Sequence, residues 1–171
     1  MSAPPGIEWF TGRHGLDNKR PLSELLKVHD HIDLFSLSGT YISECAVGEL
    51  RAIRRVLLPD PANADVRQQA ERVQNKDLPD DIKASTRLLI RNHKVNVRWY
   101  PSLLFHSMLI VDPEKPEGFF HDELVLPFTA PRERPSIRFY RREYEDVVVG
   151  ALAAFDRMWD ASRTPTDADL G

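Results

Sequence analysis

Hydrophobic and polar residues alternate along several short segments of the chain, and this alternation predicts β-strands. In segment 95–100, for example, the apolar residues Val95, Val97 and Trp99 occupy every second position. A strand pattern or a short apolar run is present at 31–37, 56–58, 95–100, 106–111, 119–128 and 136–140. The chain therefore contains a sheet of at least moderate size.

Helical spacing of apolar residues separates these strands. The clearest helix is predicted for 144–159, where apolar residues from Tyr144 to Trp159 recur three and four positions apart and form one stripe. The other predicted helices are 22–28, 41–53, 64–74 and 79–92. The residues after Ala161 have the polar composition of a disordered tail.

The order of these elements indicates an α/β fold. Segment 31–37 carries apolar residues on both faces, which is typical of a strand that helices cover on each side. A helix and then strand 56–58 follow it, and this order indicates a parallel pair with a right-handed crossover. We predict a mixed β-sheet flanked by helices on both faces, with the 144–159 helix on one face and the earlier helices on the other. Residues 7–161 would form one domain between a loose N-terminus (1–6) and a flexible tail (162–171).

Composition narrows the classes of function. The 171 residues are 42% hydrophobic and 29% charged, which are ordinary values for a globular protein. The formal net charge of −3 provides no general attraction to nucleic acid or to a membrane. Cys45 is the single cysteine, so no intramolecular disulfide can form. No apolar run approaches the roughly 18–20 residues that span a bilayer, and the first residues lack a signal-peptide pattern, so we expect a cytoplasmic location.

Segment 106–112 holds the main candidate for chemistry, because it combines a buried strand with a histidine at its start and an aspartate at its end. The strand period of two places His106, Met108 and Asp112 on one face and Ser107 on the other. A histidine at the mouth of a sheet can act as a nucleophile or a general base. The alternative is that His106 only caps the strand and is satisfied by a backbone partner.

The succession of segments resembles that of the phospholipase D-like superfamily, especially its short members with a single catalytic motif. The resemblance is carried by segments 32–39, 56–61, 95–100, 106–112 and the end of the last helix at 155–159. It covers most of residues 30–160 and implies an α/β sandwich. Because single-motif members place two copies across a two-fold axis, it also implies a homodimer that brings two His106-bearing edges together.

The catalytic motif of that superfamily is a histidine, any residue, a lysine, four further residues and an aspartate. In the family the histidine attacks phosphorus and the lysine neutralises the phosphate oxygens. His106 matches the histidine, whereas Asp112 arrives one residue early and Met108 stands at the lysine position. The Gly-Ser-x-Asn element expected downstream is missing, and residues 124–128 occupy its place. A thioether carries no charge, and losing one charge-stabilising donor typically costs on the order of 100- to 1,000-fold in rate, so the motif is degenerate.

Arginines could replace the missing lysine, because a guanidinium holds phosphate in a bidentate fork. The expected ligand-binding residues are Arg98, on a predicted neighbouring strand, Arg138 and Arg141, and Ser107. The alternative is that the arginines form a solvated rim and pair with acidic residues at 143–146. If the site is active, the catalytic residues would be His106 and Asp112.

Metal and nucleic-acid signals are weak. Residues 29–33 and 121–123 contain metal-compatible side chains, but neither segment has a recognised ligand spacing, so we predict no metal and no cofactor. The basic residues at 51–55 lack interleaved aromatics, which argues against nucleic acid as a partner.

Three functions stay open at this point. The favoured one is a non-catalytic module that binds a phosphate-bearing ligand or a protein partner, in a sensing or effector-associated role. The second is a phosphodiesterase or nuclease in which His106 of a homodimer attacks phosphorus. The third is a purely structural interaction domain.

Overall fold

The computed structural model describes residues 4–12, 22–43, 45, 49–73, 75–102, 106–130 and 133–171. Its strands are β1 (Ile7–Phe10), β2 (Ile32–Phe35), β3 (Ile53–Pro59), β4 (Asn96–Tyr100), β5 (His106–Val111), β6 (Phe119–Leu124) and β7 (Ser136–Tyr140). Its helices are α1 (Leu22–Val28), α2 (Thr40–Ser43), α3 (Ala64–Arg72), α4 (Leu78–Arg91), α5 (Glu145–Asp160) and α6 (Asp167–Leu170).

The seven strands of the described residues belong to one mixed sheet with the order β1-β7-β6-β5-β2-β3-β4. The neighbours β2, β3 and β4 run parallel, and the remaining pairs are antiparallel. The strand that begins with His106 therefore lies at the centre of the sheet, between β6 and β2. The predicted α/β class and the parallel β2–β3 pair are confirmed.

Different helices cover the two faces of the sheet. On one face, which we call the α5 face, Phe155 of α5 packs with Phe35, Leu57 and Ile110. The larger core lies on the opposite face and includes residues of α1, α2, α3, α4 and α6. This division confirms the predicted arrangement of the last helix against the earlier ones. No helix among the described residues is both long and apolar enough to cross a membrane.

Two predicted elements are shorter than their sequence patterns. The helix predicted for 41–53 consists of α2 and a 3₁₀ turn at Glu49–Ala52, while residues 44 and 46–48 lie outside the described part of the chain. Its last predicted residue, Ile53, instead pairs with Ile32 in the sheet. The strand predicted for 119–128 ends at Leu124, because β5 starts opposite that residue and Pro127 has no N–H to donate.

The tail after Ala161 is ordered, contrary to the prediction from its composition. The backbone N–H of Trp99 donates to the carbonyl of Arg163 at 2.8 Å, and the guanidinium of Arg163 contacts Asp60 and Asp169 at 2.7 and 2.8 Å. Leu170 of α6 is buried in the larger core. Composition did not predict an ordered tail because the residues that it contacts, such as Trp99 and Asp60, are distant in sequence. At the other end, residues 1–3 of the predicted loose N-terminus lie outside the described residues.

Candidate functional site

His106 lies at the start of β5 on the α5 face, with a side chain that is 45% exposed. Its Nδ1 atom is 3.1 Å from each carboxylate oxygen of Asp122 on the adjacent strand β6. An ionised carboxylate accepts hydrogen bonds, so Asp122 fixes the proton on Nδ1 and leaves Nε2 as the atom available for chemistry. Burial raises the pKa of Asp122, and the neighbouring imidazole opposes that shift.

Asp122 was not among the residues predicted for the site. It belongs to segment 121–123, which the sequence suggested only as a set of metal-compatible side chains. In the structure Asp122 is paired with Met108, and an antiparallel register places both on the α5 face with His106. The signal that could have identified it is the alternation of β6 together with the length of the β5–β6 hairpin.

Met108 occupies the position at which a catalytic lysine was expected. Its side chain packs against the cluster of Phe35, Ile110 and Phe155 beneath α5. This environment is apolar, and a thioether suits it because it carries no charge that would need solvation. The side chain at the expected lysine position therefore packs against the hydrophobic cluster beneath α5.

Asp112 does not share a site with His106. The two residues lie at opposite ends of β5, about 20 Å apart at ~3.3 Å per strand residue. Asp112 has a left-handed backbone (φ 42°), which ends the strand alternation, so its predicted place on the face of His106 is wrong. Its buried carboxylate accepts hydrogen bonds from His29 Nδ1 (2.9 Å), Lys115 Nζ (3.0 Å) and the backbone N–H of His31 (2.9 Å).

Arg98 is also far from His106. β4 is an edge strand separated from β5 by β2 and β3, which corresponds to about 14 Å at ~4.8 Å per strand. The prediction that Arg98 lies on a neighbouring strand is therefore wrong, because the parallel crossovers put two strands between them. Its Nη1 atom donates to the carbonyl of Trp159 at 2.8 Å, and its guanidinium lies 4.8 Å from the ring centroid of the same residue.

Arg138 and Ser107 project from the opposite face of the sheet. Arg138 is 2% exposed, and its guanidinium lies 4.2 Å from the ring centroid of Phe119 and 3.4 Å from Glu8 Oε2. Ser107 follows His106 directly, so the strand alternation turns it away from the imidazole. The structure does not bring either residue together with His106.

Arg141 lies beyond the end of β7, beside the Asp112 end of β5. Its Nη2 atom donates to Glu145 at 2.6 Å and its Nη1 atom donates to the carbonyl of Pro113. Arg142 pairs with Glu143 at 2.7 Å. The alternative prediction, that arginines of this region pair with the acidic residues at 143–146, is confirmed for these two residues.

Side chains of the metal-compatible segments 29–33 and 121–123 also make contacts of other kinds. Arg55 donates to both carboxylate oxygens of Asp33, and His31 Nε2 lies 2.9 Å from one of them. His121 lies on the face opposite Asp122, and burial, together with the charge of Arg138, lowers its pKa to about 3. Within the described residues no three His, Cys, Asp or Glu side chains converge on a metal position.

Comparisons with known proteins give matches only at the level of structure. Neither the protein-family models nor the curated proteins include a match to this sequence. NucT from Helicobacter pylori has a TM-score of 0.58 over 93% of this chain and 98% of its own, at 9% identity. Nuc from Salmonella typhimurium, a phospholipase D family member, has a TM-score of 0.50 over 94% of this chain and 97% of its own, also at 9% identity.

A third similar structure is TrmBL2, an archaeal chromatin protein that binds DNA. Its TM-score is 0.54 at 13% identity over 96% of this chain. The chain spans only 56% of the length of TrmBL2. At identities this low, the three likenesses establish a shared fold.

Proposed function

We propose that this chain, whose fold is that of the phospholipase D-like superfamily, uses the fold for binding a protein and not for catalysis. The observation that carries this proposal is the position of Met108 in the hydrophobic cluster beneath α5, where catalysis would need a lysine. Transfer of a phosphoryl group depends on positive charge that stabilises the developing negative charge. His106 has a carboxylate as its neighbour instead.

The arginines that were predicted for the site all lie away from His106, and this supports the same proposal. Arg98 donates to the carbonyl of Trp159 at the end of α5, and Arg138 is buried on the opposite face of the sheet. Arg141 donates to the carbonyl of Pro113 in the turn after β5. A phosphate beside His106 would meet the negative charge of Asp122, which lies 3.1 Å from the imidazole. DNA binding, as in TrmBL2, is disfavoured for this chain by its net charge of −3.

The surface beside His106 has the character of a protein-binding site. Leu124 is paired with His106 in the sheet and is 37% exposed. Farther along the same face of the sheet, Trp9 of β1 lies in one cross-strand row with Ile137 and Asp122 and is 63% exposed, although three strand spacings separate β1 from β5. A surface that a partner covers typically has an apolar area with polar groups at its rim, and Leu124 next to the His106–Asp122 pair fits that description.

This proposal predicts that the purified chain does not hydrolyse a generic phosphodiester. With bis(p-nitrophenyl) phosphate as the substrate, we expect equal nitrophenol release from the wild type, from His106→Ala and from buffer. Inorganic phosphate should leave Tm unchanged, whereas a ligand present at about 100 times its Kd would stabilise the fold by about 2.7 kcal/mol. Turnover that disappears in His106→Ala would overturn the proposal, and a phosphate-dependent rise in Tm would replace protein binding with phosphate binding.

The His106–Asp122 pair favours one alternative, a phosphodiesterase in which His106 attacks phosphorus. In this alternative Asp122 would orient the imidazole through Nδ1, and Nε2 would be the nucleophile. Asp122→Asn should then lower the rate by about 100-fold or more, by analogy with other positioned acid–base groups, without changing the substrate KM. A rate insensitive to Asp122→Asn would exclude this alternative.

A further inference from the structure

A cavity with a volume of about 700 Å³ lies at the end of β5 that is opposite to His106. Residues of β1, of the end of α1, of the turn after β5 and of the segment after β7 form its wall. Its volume is within the range of about 300–1,000 Å³ that is typical of sites for small ligands. His106, Asp122 and Leu124 take no part in this wall, so the cavity is separate from the surface to which the proposed function refers.

His29 supplies a buried polar atom in the wall of this cavity. Its side chain is 9% exposed, and its Nδ1 atom lies 2.9 Å from a carboxylate oxygen of Asp112. An ionised carboxylate accepts hydrogen bonds, so Asp112 holds the ring proton on Nδ1, and Nε2 of the neutral imidazole is an acceptor. Nε2 has no hydrogen-bond partner among the described residues. Because buried polar atoms in folded proteins are almost always hydrogen-bonded, Nε2 needs a donor, and a ligand in the cavity would supply one.

Glutamates add further acceptors to the same wall. The carboxylates of Glu8, Glu117 and Glu143 line the cavity, and each accepts hydrogen bonds as Nε2 of His29 does. Arg142 also lines the cavity, but it is already paired with Glu143 at 2.7 Å. The wall therefore presents more negative than positive charge. A ligand that matches it is positively charged and donates hydrogen bonds.

The apolar part of the wall indicates an organic cation and not a metal ion. Ile7, Val28 and Pro116 contribute aliphatic surface, and Val28 is 71% exposed. The ring of Tyr140 adds an aromatic surface, which attracts cations. In the part of the chain that the structure describes, no group of three His, Cys, Asp or Glu side chains is arranged to hold a metal. An ammonium or guanidinium group on a short carbon chain matches both the acceptors and the apolar surface.

Contacts within the chain hold these acceptors in place before any ligand binds. Glu8 Oε2 accepts a hydrogen bond from the hydroxyl of Tyr140 at 2.9 Å and lies 3.4 Å from Nη1 of the buried Arg138, which leaves Oε1 for a ligand. Gly6 has a φ of 79°, and a Cβ atom there would lie 2.6 Å from Cβ of Glu143, so glycine is needed for this close approach. Acceptors that are already positioned reduce the entropic cost of binding.

We propose that this cavity is a binding site for an organic cation, an ammonium or guanidinium group on a carbon chain, with Glu8, Glu117 and Nε2 of His29 as its acceptors. The cation belongs either to a free small molecule or to a lysine or arginine side chain of a peptide. This inference goes beyond the proposed function and does not rest on it, because the surface beside His106 is not involved.

Isothermal titration calorimetry of the full chain with butylguanidinium tests the proposal, and butylurea is the matched neutral probe. We expect the cation to bind with a Kd of about 1 mM or lower, and butylurea to bind at least about 10-fold more weakly. A capped tripeptide with a central arginine and its citrulline analogue form the second arm. A lower Kd for the arginine peptide than for butylguanidinium assigns the site to a peptide side chain, and the reverse order assigns it to a free small molecule.

Single substitutions connect this binding to the cavity. Glu8→Gln should raise the Kd for butylguanidinium about 10-fold, because a hydrogen bond to a charged acceptor becomes one to a neutral acceptor. Glu117→Gln should raise it about 3-fold, since this glutamate is exposed. Glu114→Gln is the matched control, because Glu114 is an exposed residue of the same turn that does not line the cavity, and it should leave Kd unchanged.

The Tm of each variant separates lost binding from lost folding, and Glu117→Gln keeps the test valid if Glu8→Gln does not fold. The proposal is overturned if neither butylguanidinium nor the arginine peptide binds saturably at about 10 mM, ten times the highest Kd expected. Equal affinities for butylguanidinium and butylurea would also overturn it, as would a Kd that neither glutamate variant changes. Phosphodiester hydrolysis, measured separately, reports on the proposed function alone.

Discussion

Replacing Arg55 with methionine is expected to lower the free energy of unfolding by about 3–5 kcal/mol, because it leaves a buried carboxylate without its cationic partner. The carboxylate is that of Asp33, which is fully buried in β2 on the α5 face. Arg55 Nη2 and Nε donate to its two oxygens at 2.5 and 2.9 Å. After the substitution, only His31 Nε2 would remain as a side-chain partner among the described residues.

Chemical denaturation at neutral pH measures this loss. Arg54→Met is the matched control, because Arg54 is the preceding residue and its side chain is exposed, so its effect should stay within about 0.5 kcal/mol. The double variant Asp33→Leu/Arg55→Met should recover a large part of the loss, since apolar residues can replace a buried ion pair at little cost. Equal effects of Arg55→Met and Arg54→Met would contradict the assigned role of the pair.

Arg55 also connects the sheet to α5. Its Nη1 atom donates to Asp156 at 2.7 Å, and its guanidinium lies 4.9 Å from the ring centroid of Phe155. The same aromatic cluster packs against Met108. Loss of Arg55 should therefore loosen the attachment of α5 to the sheet.

The phospholipase D-like fold was predictable from the sequence because it is encoded locally. Strand alternation gave the bounds of β5 and β7 as the structure has them, and the apolar stripe of α5 gave its length to within one residue at each end. The succession of these elements along the chain was enough to indicate the fold, and the structural likeness to NucT and Nuc confirms it.

The candidate site was less predictable because it depends on strand order and register. Alternation shows which face a residue occupies on its own strand, but it does not show which strands are neighbours. Arg98 was therefore placed beside His106 although two strands separate them. Asp122 was missed for the converse reason, because its contact with His106 arises from the register of the β5–β6 hairpin.

Asp112 is the residue for which a structural role and a catalytic role make opposite predictions. Asp112→Ala is expected to lower the free energy of unfolding by about 2–4 kcal/mol, because it removes the acceptor for His29 Nδ1, for Lys115 and for the backbone N–H of His31. The turn that follows is tight, since a Cβ atom at Gly118 would lie 2.1 Å from the carbonyl oxygen of Asp112. Glu114→Ala, at an exposed position of the same turn, is the control and should change stability by less than about 0.5 kcal/mol.

The loss of unfolding free energy in Asp112→Ala depends on pH, and its direction follows from the pKa of Asp112 in the folded state. Burial raises the pKa of Asp112, but the hydrogen bonds from His29, Lys115 and the backbone outweigh burial, so its pKa in the folded state is below the ordinary value. A carboxyl whose pKa is lowered by folding stabilises the protein above its unfolded pKa of about 3.9, and that contribution is lost as the pH falls through the folded pKa. The stability difference between wild type and Asp112→Ala should therefore be largest near neutral pH and shrink in acid below about pH 4. Identical unfolding free energies of the wild type and Asp112→Ala at pH 7 would contradict the structural role of Asp112.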